Sequence, residues 1–141
     1  LKLEVSKLKR CIAREQAFLL LFEKTFNNNS LEEILDNAMI SRDITIDDFS
    51  KQIFYGVQEH EEEIDSLIER YCIGWKKERL PKVTISILRL AIFEMLFIKD
   101  IPLSVSINEA VELAKIYGGE KDSSFINGIL GSILKEIKEN S

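Results

Sequence analysis

Residues 87–95 read ILRLAIFEM, residues 107–115 read INEAVELAK, and residues 125–130 read FINGIL. The first segment belongs to a stretch over residues 85–98 that is apolar on nearly every side, which is typical of a central buried helix. The second repeats its apolar residues at helical spacing, and Gly118-Gly119 behind it is typical of a helix stop. These segments predict that the last third of the chain is built from packed helices.

Apolar residues recur at helical spacing along the rest of the chain, and no segment alternates convincingly like a strand. Ser30 with Glu33 forms one capping box, Thr45 with Asp48 forms a second, and Thr84 is a typical N-cap. The pattern predicts an all-α bundle of seven helices packed ridge into groove. The predicted helices are 8–26, 31–39, one from the second capping box to about residue 57, 61–72, 85–98, 102–117 with Pro102 in its first turn, and 123–138 behind a Ser or Asp cap.

Length favours one domain over residues 1–141, in which residues 74–81 form the one plausible waist. A chain near this size buries roughly 70% of its unfolded surface, which is enough for a core. No apolar run approaches the ~18 residues of a membrane helix, and the start of the chain lacks a cleavable apolar stretch. We therefore expect a cytoplasmic protein without a membrane partner, in which Cys11 and Cys72 are buried free thiols.

The formal net charge is −5, but the charges are unevenly distributed along the chain. Lysines and arginines crowd the first helix, whereas the middle of the chain is strongly acidic. This pattern favours either two faces with different partners or a basic tail beside an acidic, solvated surface. Charge alone leaves both interpretations open.

Residues suited to catalysis are scarce. His60 is the single histidine, and the three glutamates after it supply no second histidine for a zinc-binding helix, so we predict a solvated surface turn there. The two cysteines lack CxxC spacing, and no phosphate-binding GxxxxGK[ST] loop occurs. The sequence therefore predicts no enzyme, no metal site and no cofactor.

Two regions have the chemistry for binding nucleic acid. Lys7, Lys9, Arg10 and Arg14 lead the first helix, and the two arginines share a helix face because they are four residues apart. Residues 118–127 are interpreted as a flexible loop with hydroxyls, charges and an aromatic ring suited to stacking on a base. The alternative, that this segment is only a helix stop, a cap and a core aromatic residue, stays open.

Glu94 is a carboxylate inside an apolar helix, so it needs a polar partner. We predict that Arg89 or Asn108 supplies that partner. On this interpretation Glu94 and Asn108 are structural residues that hold the fifth and sixth helices in register.

The quoted segments occur in the order and spacing of the NusB family of bacterial transcription antitermination factors, which the chain resembles over essentially its whole length. The segment 13–15 with Ala17 and the apolar run to Phe22 is similar to the family's first helix. The resemblance implies an all-α fold of two packed subbundles, here about 1–74 and 75–141. It also implies binding of single-stranded boxA RNA as a heterodimer with the small-subunit ribosomal protein NusE, in support of ribosomal RNA transcription by the transcription elongation complex.

The same resemblance implies where RNA and NusE would be contacted. NusE is implied to face Phe22, where many members have tyrosine. Many members also carry arginines where this chain has Cys11 and Ile12, so fewer phosphate contacts predict weaker binding and a shallower salt dependence. The residues implied to contact RNA are Lys7, Lys9, Arg10, Arg14, Lys121, Asp122, Ser124 and Phe125.

Two alternatives to this reading stay open. A NusB-like helical domain precedes the catalytic domain of certain ribosomal RNA cytosine methyltransferases, in which case this chain is a fragment. NusB-like proteins also form homodimers that hide the RNA surface. The prediction of RNA binding depends on one hypothesis. It is that the basic first helix and the segment that enters the last helix together form one surface for unpaired RNA.

Overall fold

The computed structural model describes residues 2–42, 45–74 and 76–141, with side chains from residue 9 onward in those ranges. The described residues form seven α-helices and no strand, which confirms the all-α prediction. A short 3₁₀ turn, Lys77–Arg79, precedes the fifth of these helices. The helices are α1 (Lys2–Lys24), α2 (Leu31–Arg42), α3 (Asp48–Glu59), α4 (Glu61–Tyr71), α5 (Lys82–Phe97), α6 (Leu103–Tyr117) and α7 (Glu120–Glu139).

The chain divides into two compact units, Leu1–Gly56 and Val57–Ser141, and the boundary falls inside α3. The first unit therefore holds α1, α2 and most of α3, and the second holds α4 to α7. The prediction of a single domain with subbundles that meet near residue 74 stays a prediction. No helix among the described residues has both the length and the apolar character to span a membrane.

In the first unit, side-chain caps determine where two helices begin. The Ser30 hydroxyl accepts the N–H of Glu33 at 3.2 Å, so the predicted N-cap at Ser30 is confirmed, while the Glu33 carboxylate accepts the Ser30 hydroxyl at 3.2 Å in place of the backbone N–H that a capping box uses. The second predicted box is wrong, because Asp47 caps α3 in place of Thr45. The Asp47 carboxylate accepts the N–H of Phe49 at 2.8 Å, which satisfies an amide of the first turn.

In the second unit, α5 is the central helix, as its sequence predicts. Ile87, Leu88, Leu90 and Ile92 are fully buried, and α5 packs against α4, α6 and α7. The helix begins at Lys82 behind an extended Pro81, so the predicted N-cap at Thr84 is wrong. Thr84 lies inside the first turn, where its buried hydroxyl has no hydrogen-bond partner among the residues that the structure describes.

The last two helices meet at Gly118-Gly119. Gly118 ends α6, and its N–H donates to the carbonyl of Ala114 at 2.8 Å, so the predicted stop is confirmed. Pro102 immediately precedes α6 and is not part of its first turn. The start predicted for α7 is wrong, because the helix already begins at Glu120 behind an extended Gly119 that offers no side-chain cap. Residues 120–127 are therefore helical and do not form a loop.

Three local predictions in the chain are corrected. Cys11 is exposed, because it lies on the outer side of α1, whereas Cys72 is buried as expected. His60 is the predicted turn residue between α3 and α4, but it is half-buried and not solvated, since its ring stacks on Phe97 at a centroid distance of 4.1 Å. The partner of Glu94 includes the Ser106 hydroxyl, which donates at 3.1 Å and was not predicted.

Arg89 bonds a different carboxylate from the one predicted. Its guanidinium makes a two-pronged contact with Asp65, with nitrogen–oxygen distances of 3.0 and 2.9 Å. Lys77 donates to the same carboxylate at 3.1 Å, and this bond raises the pKa of the Lys77 ammonium. The cluster ties the 3₁₀ turn and α5 to α4 through one buried aspartate.

Candidate nucleic-acid interface

The basic end of α1 presents its cations to very different extents. Lys9 is exposed, Arg10 is half-buried, and Arg14 is only 3% exposed. Lys7 lies in α1, but its side chain falls outside the described part of the structure. Among the predicted cations of α1 whose side chains are described, Lys9 and Arg10 are therefore the ones that a phosphate or base can reach.

Phe49 at the start of α3 is the aromatic centre of this region. The guanidinium carbon of Arg10 lies 4.1 Å from the centre of the Phe49 ring, and that of Arg14 lies 5.6 Å from it. The two arginines therefore share a helix face, as their spacing predicts. Cation–π contacts of this kind are worth about 0.5–1 kcal/mol at exposed sites and more when water is excluded.

Hydrogen bonds between α1 and the start of α3 hold Phe49 in place. The Ser50 hydroxyl is buried and donates to the carbonyl of Ala13 at 2.7 Å. The amide group of Gln16 accepts the N–H of Asp47 at 3.2 Å and donates to the carbonyl of Thr45 at 3.4 Å. These bonds fix the register of α3 against α1, and with it the position of the ring beside the two arginines. We refer to Arg10, Arg14 and Phe49 as the arginine cluster.

The predicted RNA residues of the second unit lie in the first two turns of α7. Lys121 and Ser124 are exposed, whereas Asp122 and Phe125 are half-buried. The carboxylate of Asp122 lies against Gly118 so closely that a Cβ atom there would be 2.8 Å from it. Because these residues are helical, their side chains project at fixed angles from a helix N-terminus, whose free amides favour anions.

A shallow cavity of about 340 Å³ lies between α6 and the start of α7. Its polar lining combines amide and hydroxyl groups, each able to donate and accept hydrogen bonds, with the ion pair that Lys115 makes to Glu112 at 3.2 Å. Of these residues the sequence predicted only Ser124 as a contact, although Asn108 and Asn127 stand in the INEAVELAK and FINGIL segments. The lining residues are Asn108, Val111, Glu112, Lys115, Ser123, Ser124 and Asn127.

Phe22 belongs to an aromatic ladder along the end of α1. Its ring lies 6.0 Å from that of Phe18 in a stacked arrangement and 4.9 Å from that of Phe26 in an edge-to-face arrangement. Phe18 is buried, Phe22 is half-buried, and Phe26 is 61% exposed. The ladder therefore runs from the core of the first unit to an apolar surface that water covers in the isolated chain.

A family model described as "NusB family" matches residues 12–135, which is most of the chain. The chain belongs to the NusB family. Transcription antitermination protein NusB of Clostridium botulinum is 45% identical, over 86% of this chain and 96% of that protein. The NusB proteins of Acetivibrio thermocellus (45% identical, 89% and 88% covered) and Bacillus licheniformis (40% identical, 93% and 100% covered) are also similar.

Solved structures of the NusB family share the fold. The NusB of T. maritima superimposes with a TM-score of 0.80 at 40% identity, covering 90% of this chain and 91% of that one. A chain from a complex of antitermination factors NusB and NusE with double-stranded RNA superimposes with a TM-score of 0.81 at 31% identity, covering 90% and 96%. A chain from a structure of a plectonemic RNA supercoil reaches 0.85 at 32% identity, covering 94% and 98%.

These findings settle two predictions and leave a third open. The family resemblance is confirmed, and so is the prediction that the chain is not an enzyme, because NusB relatives are named for antitermination. The structure brings Arg10 and Arg14 together in the first unit and Lys121, Asp122, Ser124 and Phe125 together in the second. That the two groups form one RNA surface stays a prediction.

Proposed function

We propose that this protein is a transcription antitermination factor that binds single-stranded boxA RNA as a heterodimer with the ribosomal protein NusE. The observation that carries the proposal is the likeness to a chain from a complex of antitermination factors NusB and NusE with double-stranded RNA, at 31% identity over 90% of this chain. In the cell the heterodimer supports ribosomal RNA transcription within the transcription elongation complex, in the cytoplasm. None of the three relatives above favours the methyltransferase alternative, since each is named as an antitermination protein.

The first unit contributes positive charge to RNA binding. Lys9 is exposed and Arg10 half-buried at the basic end of α1, so both can reach the RNA backbone or a base. Lys7 extends this row of cations by its place in α1. Arg14 is too deeply buried to meet RNA without a local rearrangement, so it acts through the arginine cluster. Binding that uses so few phosphate contacts should have a shallow salt dependence.

The second unit contributes hydrogen bonds and an aromatic ring. The cavity beside α7 offers the side chains of Asn108, Ser124 and Asn127, which suit the edges of an unpaired base. Lys121 is exposed one turn earlier and is available to a phosphate, while Asp122 can accept from a base amino group or a ribose hydroxyl. Half-buried Phe125 offers part of its ring for stacking.

The NusE contact is assigned to the aromatic ladder at the end of α1. Phe26 exposes most of its ring, and an aromatic anchor of this kind is typical of the centre of a protein interface. Phe22 lies behind it and supports it through the edge-to-face contact. Phe26 was not predicted from sequence, although it stands only four residues after Phe22, in the turn that follows α1.

The proposal is tested by titrating a boxA oligonucleotide with the full chain, alone and with purified NusE, across a range of salt concentrations. We expect tighter binding with NusE, preference for boxA over a scrambled RNA of the same composition, and weakening as salt rises. Binding that ignores both RNA sequence and NusE would overturn the proposal. Light scattering of the same samples measures whether a homodimer forms without RNA and dissociates when RNA is added.

A further inference from the structure

Arg10 is distinguished from the other cations of α1 by its contact with Phe49. Its guanidinium lies in van der Waals contact with one face of the ring, while the side chain remains half-exposed. Among the described residues no ion pair includes Arg10, so its hydrogen-bond donors are not satisfied by a carboxylate there. A guanidinium held in this way has one side against an aromatic ring and can offer the other to a ligand.

Hydrogen bonds fix the backbone that carries the Phe49 ring, and a second arginine lies near the ring. The N–H of Phe49 donates to the Asp47 carboxylate, and its neighbour Ser50 is bonded to the carbonyl of Ala13 in α1. The guanidinium of Arg14, a residue that is only 3% exposed, lies 5.6 Å from the ring centre. Phe49 therefore forms a fixed support, and Arg10 is the part of the arginine cluster that solvent reaches.

The chemistry of such a support favours a flat ligand. A guanidinium is planar and weakly hydrated, and it stacks on nucleobases as readily as on aromatic side chains, whereas an ammonium does not. An arginine side chain that is already held in one geometry loses less conformational entropy on binding a base than a mobile side chain does. Phosphate neutralisation alone would need no ring beneath the arginine, since exposed Lys9 already supplies a free charge one residue away.

We propose that Phe49 is a positioning residue for RNA binding, which holds Arg10 so that its guanidinium stacks on one unpaired base of the bound RNA. The inference rests on the proposed function, because it specifies how that RNA is held. It assigns a role in RNA binding to Phe49, which was not predicted from the sequence to contact RNA. It also gives the two exposed cations at the basic end of α1 different roles, with base stacking at Arg10 and phosphate contact at Lys9.

The first experiment compares charge with planarity. Arg10→Lys keeps the positive charge and loses the planar group, so we expect boxA affinity to fall about tenfold, within the range found for one stacked base, with an unchanged salt slope. Lys9→Gln is the matched variant, and here the slope of log K against log salt should become shallower by about 0.7, the value for one contact to single-stranded RNA. Equal affinity of Arg10→Lys and wild type would overturn the proposal.

The second experiment tests the support. Phe49→Leu keeps an apolar side chain and removes the aromatic face, so it should weaken boxA binding several-fold with an unchanged salt slope. Phe49→Tyr keeps the aromatic face and should retain most of the wild-type affinity for boxA. If Phe49→Leu lowers the helical content, Phe49→Tyr and Arg10→Lys alone decide the question. Wild-type affinity of folded Phe49→Leu would contradict the proposal.

The third experiment locates the base. A set of boxA oligonucleotides, each with one abasic nucleotide, should contain one position at which the loss of the base weakens wild-type binding about tenfold while Arg10→Lys is no longer affected. If every abasic position weakens both proteins equally, Arg10 does not stack on a base. If wild type fails to bind boxA even with NusE, it is the proposed function that fails, so the two outcomes are distinguishable.

Discussion

Arg89 in the second unit and Arg10 in the first use the same side chain for opposite purposes. Arg89 is bound on both prongs by buried Asp65 and also reaches Glu61 at 3.1 Å. Arg10 lies on an aromatic ring and is paired with no carboxylate among the described residues. A guanidinium matched by carboxylates stabilises the fold, while one that is held by a ring keeps its charge and donors for a ligand.

This difference predicts whether a substitution should change the free energy of unfolding or the affinity for boxA. Substitutions in the contacts that Arg89, Glu94 and Glu136 make inside the second unit should change the free energy of unfolding and leave boxA affinity nearly unchanged below the melting temperature. Substitutions in the arginine cluster should do the reverse. Each prediction below tests one side of that division.

The largest expected effect is that of Arg89→Met. It leaves the Asp65 carboxylate buried with Lys77 as its remaining close partner, and breaking a buried pair in this way costs about 3 kcal/mol. Urea denaturation measures the loss. Arg10→Met is the matched variant, and we expect it to cost less than about 1 kcal/mol of stability, the value of an exposed cation–π contact, while it weakens boxA binding.

The division would be broken by either of two results for these arginines. One is an Arg89→Met variant whose stability matches wild type, which would mean that the ion cluster contributes little. The other is an Arg10→Met variant that is as unstable as Arg89→Met, which would make the arginine cluster a structural element.

A smaller loss is expected for Glu94→Ala. The side chain is fully buried and accepts the hydroxyl of Ser106, so its removal leaves a cavity and an unpaired hydroxyl, together worth about 2 kcal/mol. The melting temperature should fall, and boxA affinity at 20 °C should not. Glu94→Gln keeps the volume and an acceptor oxygen, and should recover most of the stability. An unchanged melting temperature for Glu94→Ala would show that this contact is dispensable.

Much of the fold follows from local signals, whereas the contacts of the site do not. The apolar residues on nearly every side of α5 predicted its central position, and the spacing of Ser30 and Glu33 predicted the start of α2; both signals are local in sequence. The early start of α7 was missed because Gly119 gives no side-chain signal for an N-cap. The pairs Arg89–Asp65 and Arg10–Phe49 join residues far apart in sequence, so nothing in the neighbourhood of either arginine reveals which partner it takes.

The join between α6 and α7 offers a matched pair of glycines. Gly118→Ala would place a Cβ 2.8 Å from the Asp122 carboxylate and 3.0 Å from the carbonyl of Ala114, so overpacking should cost about 1 kcal/mol. Gly119→Ala is the control, since its Cβ would meet no atom within 4 Å. Thermal unfolding of both variants measures the difference. Equal melting temperatures would mean that Asp122 moves aside freely and does not hold the start of α7.

The smallest effect is expected at Glu136, where α7 meets α4. Its carboxylate accepts the hydroxyl of Tyr71 at 2.6 Å and pairs with Arg70, and these contacts, that of Tyr71 foremost, hold the pKa of Glu136 below its ordinary value of 4.5. A lowered pKa in the folded state means that the charged form stabilises the fold at higher pH, and that this stabilisation is lost as the pH falls through the lowered value.

Glu136→Gln should therefore melt slightly below wild type at pH 7, and the two melting temperatures should converge as the pH falls below 4.5. Glu139→Gln, at an exposed position of the same helix, should show no such pH-dependent difference. A gap that widens in acid would reverse the sign of the linkage and rule out the carboxylate as its source. Because Arg70 is exposed and Glu136 is only half-buried, added salt should also narrow the gap at pH 7, which distinguishes this pair from the buried Arg89–Asp65 contact that salt screens much less.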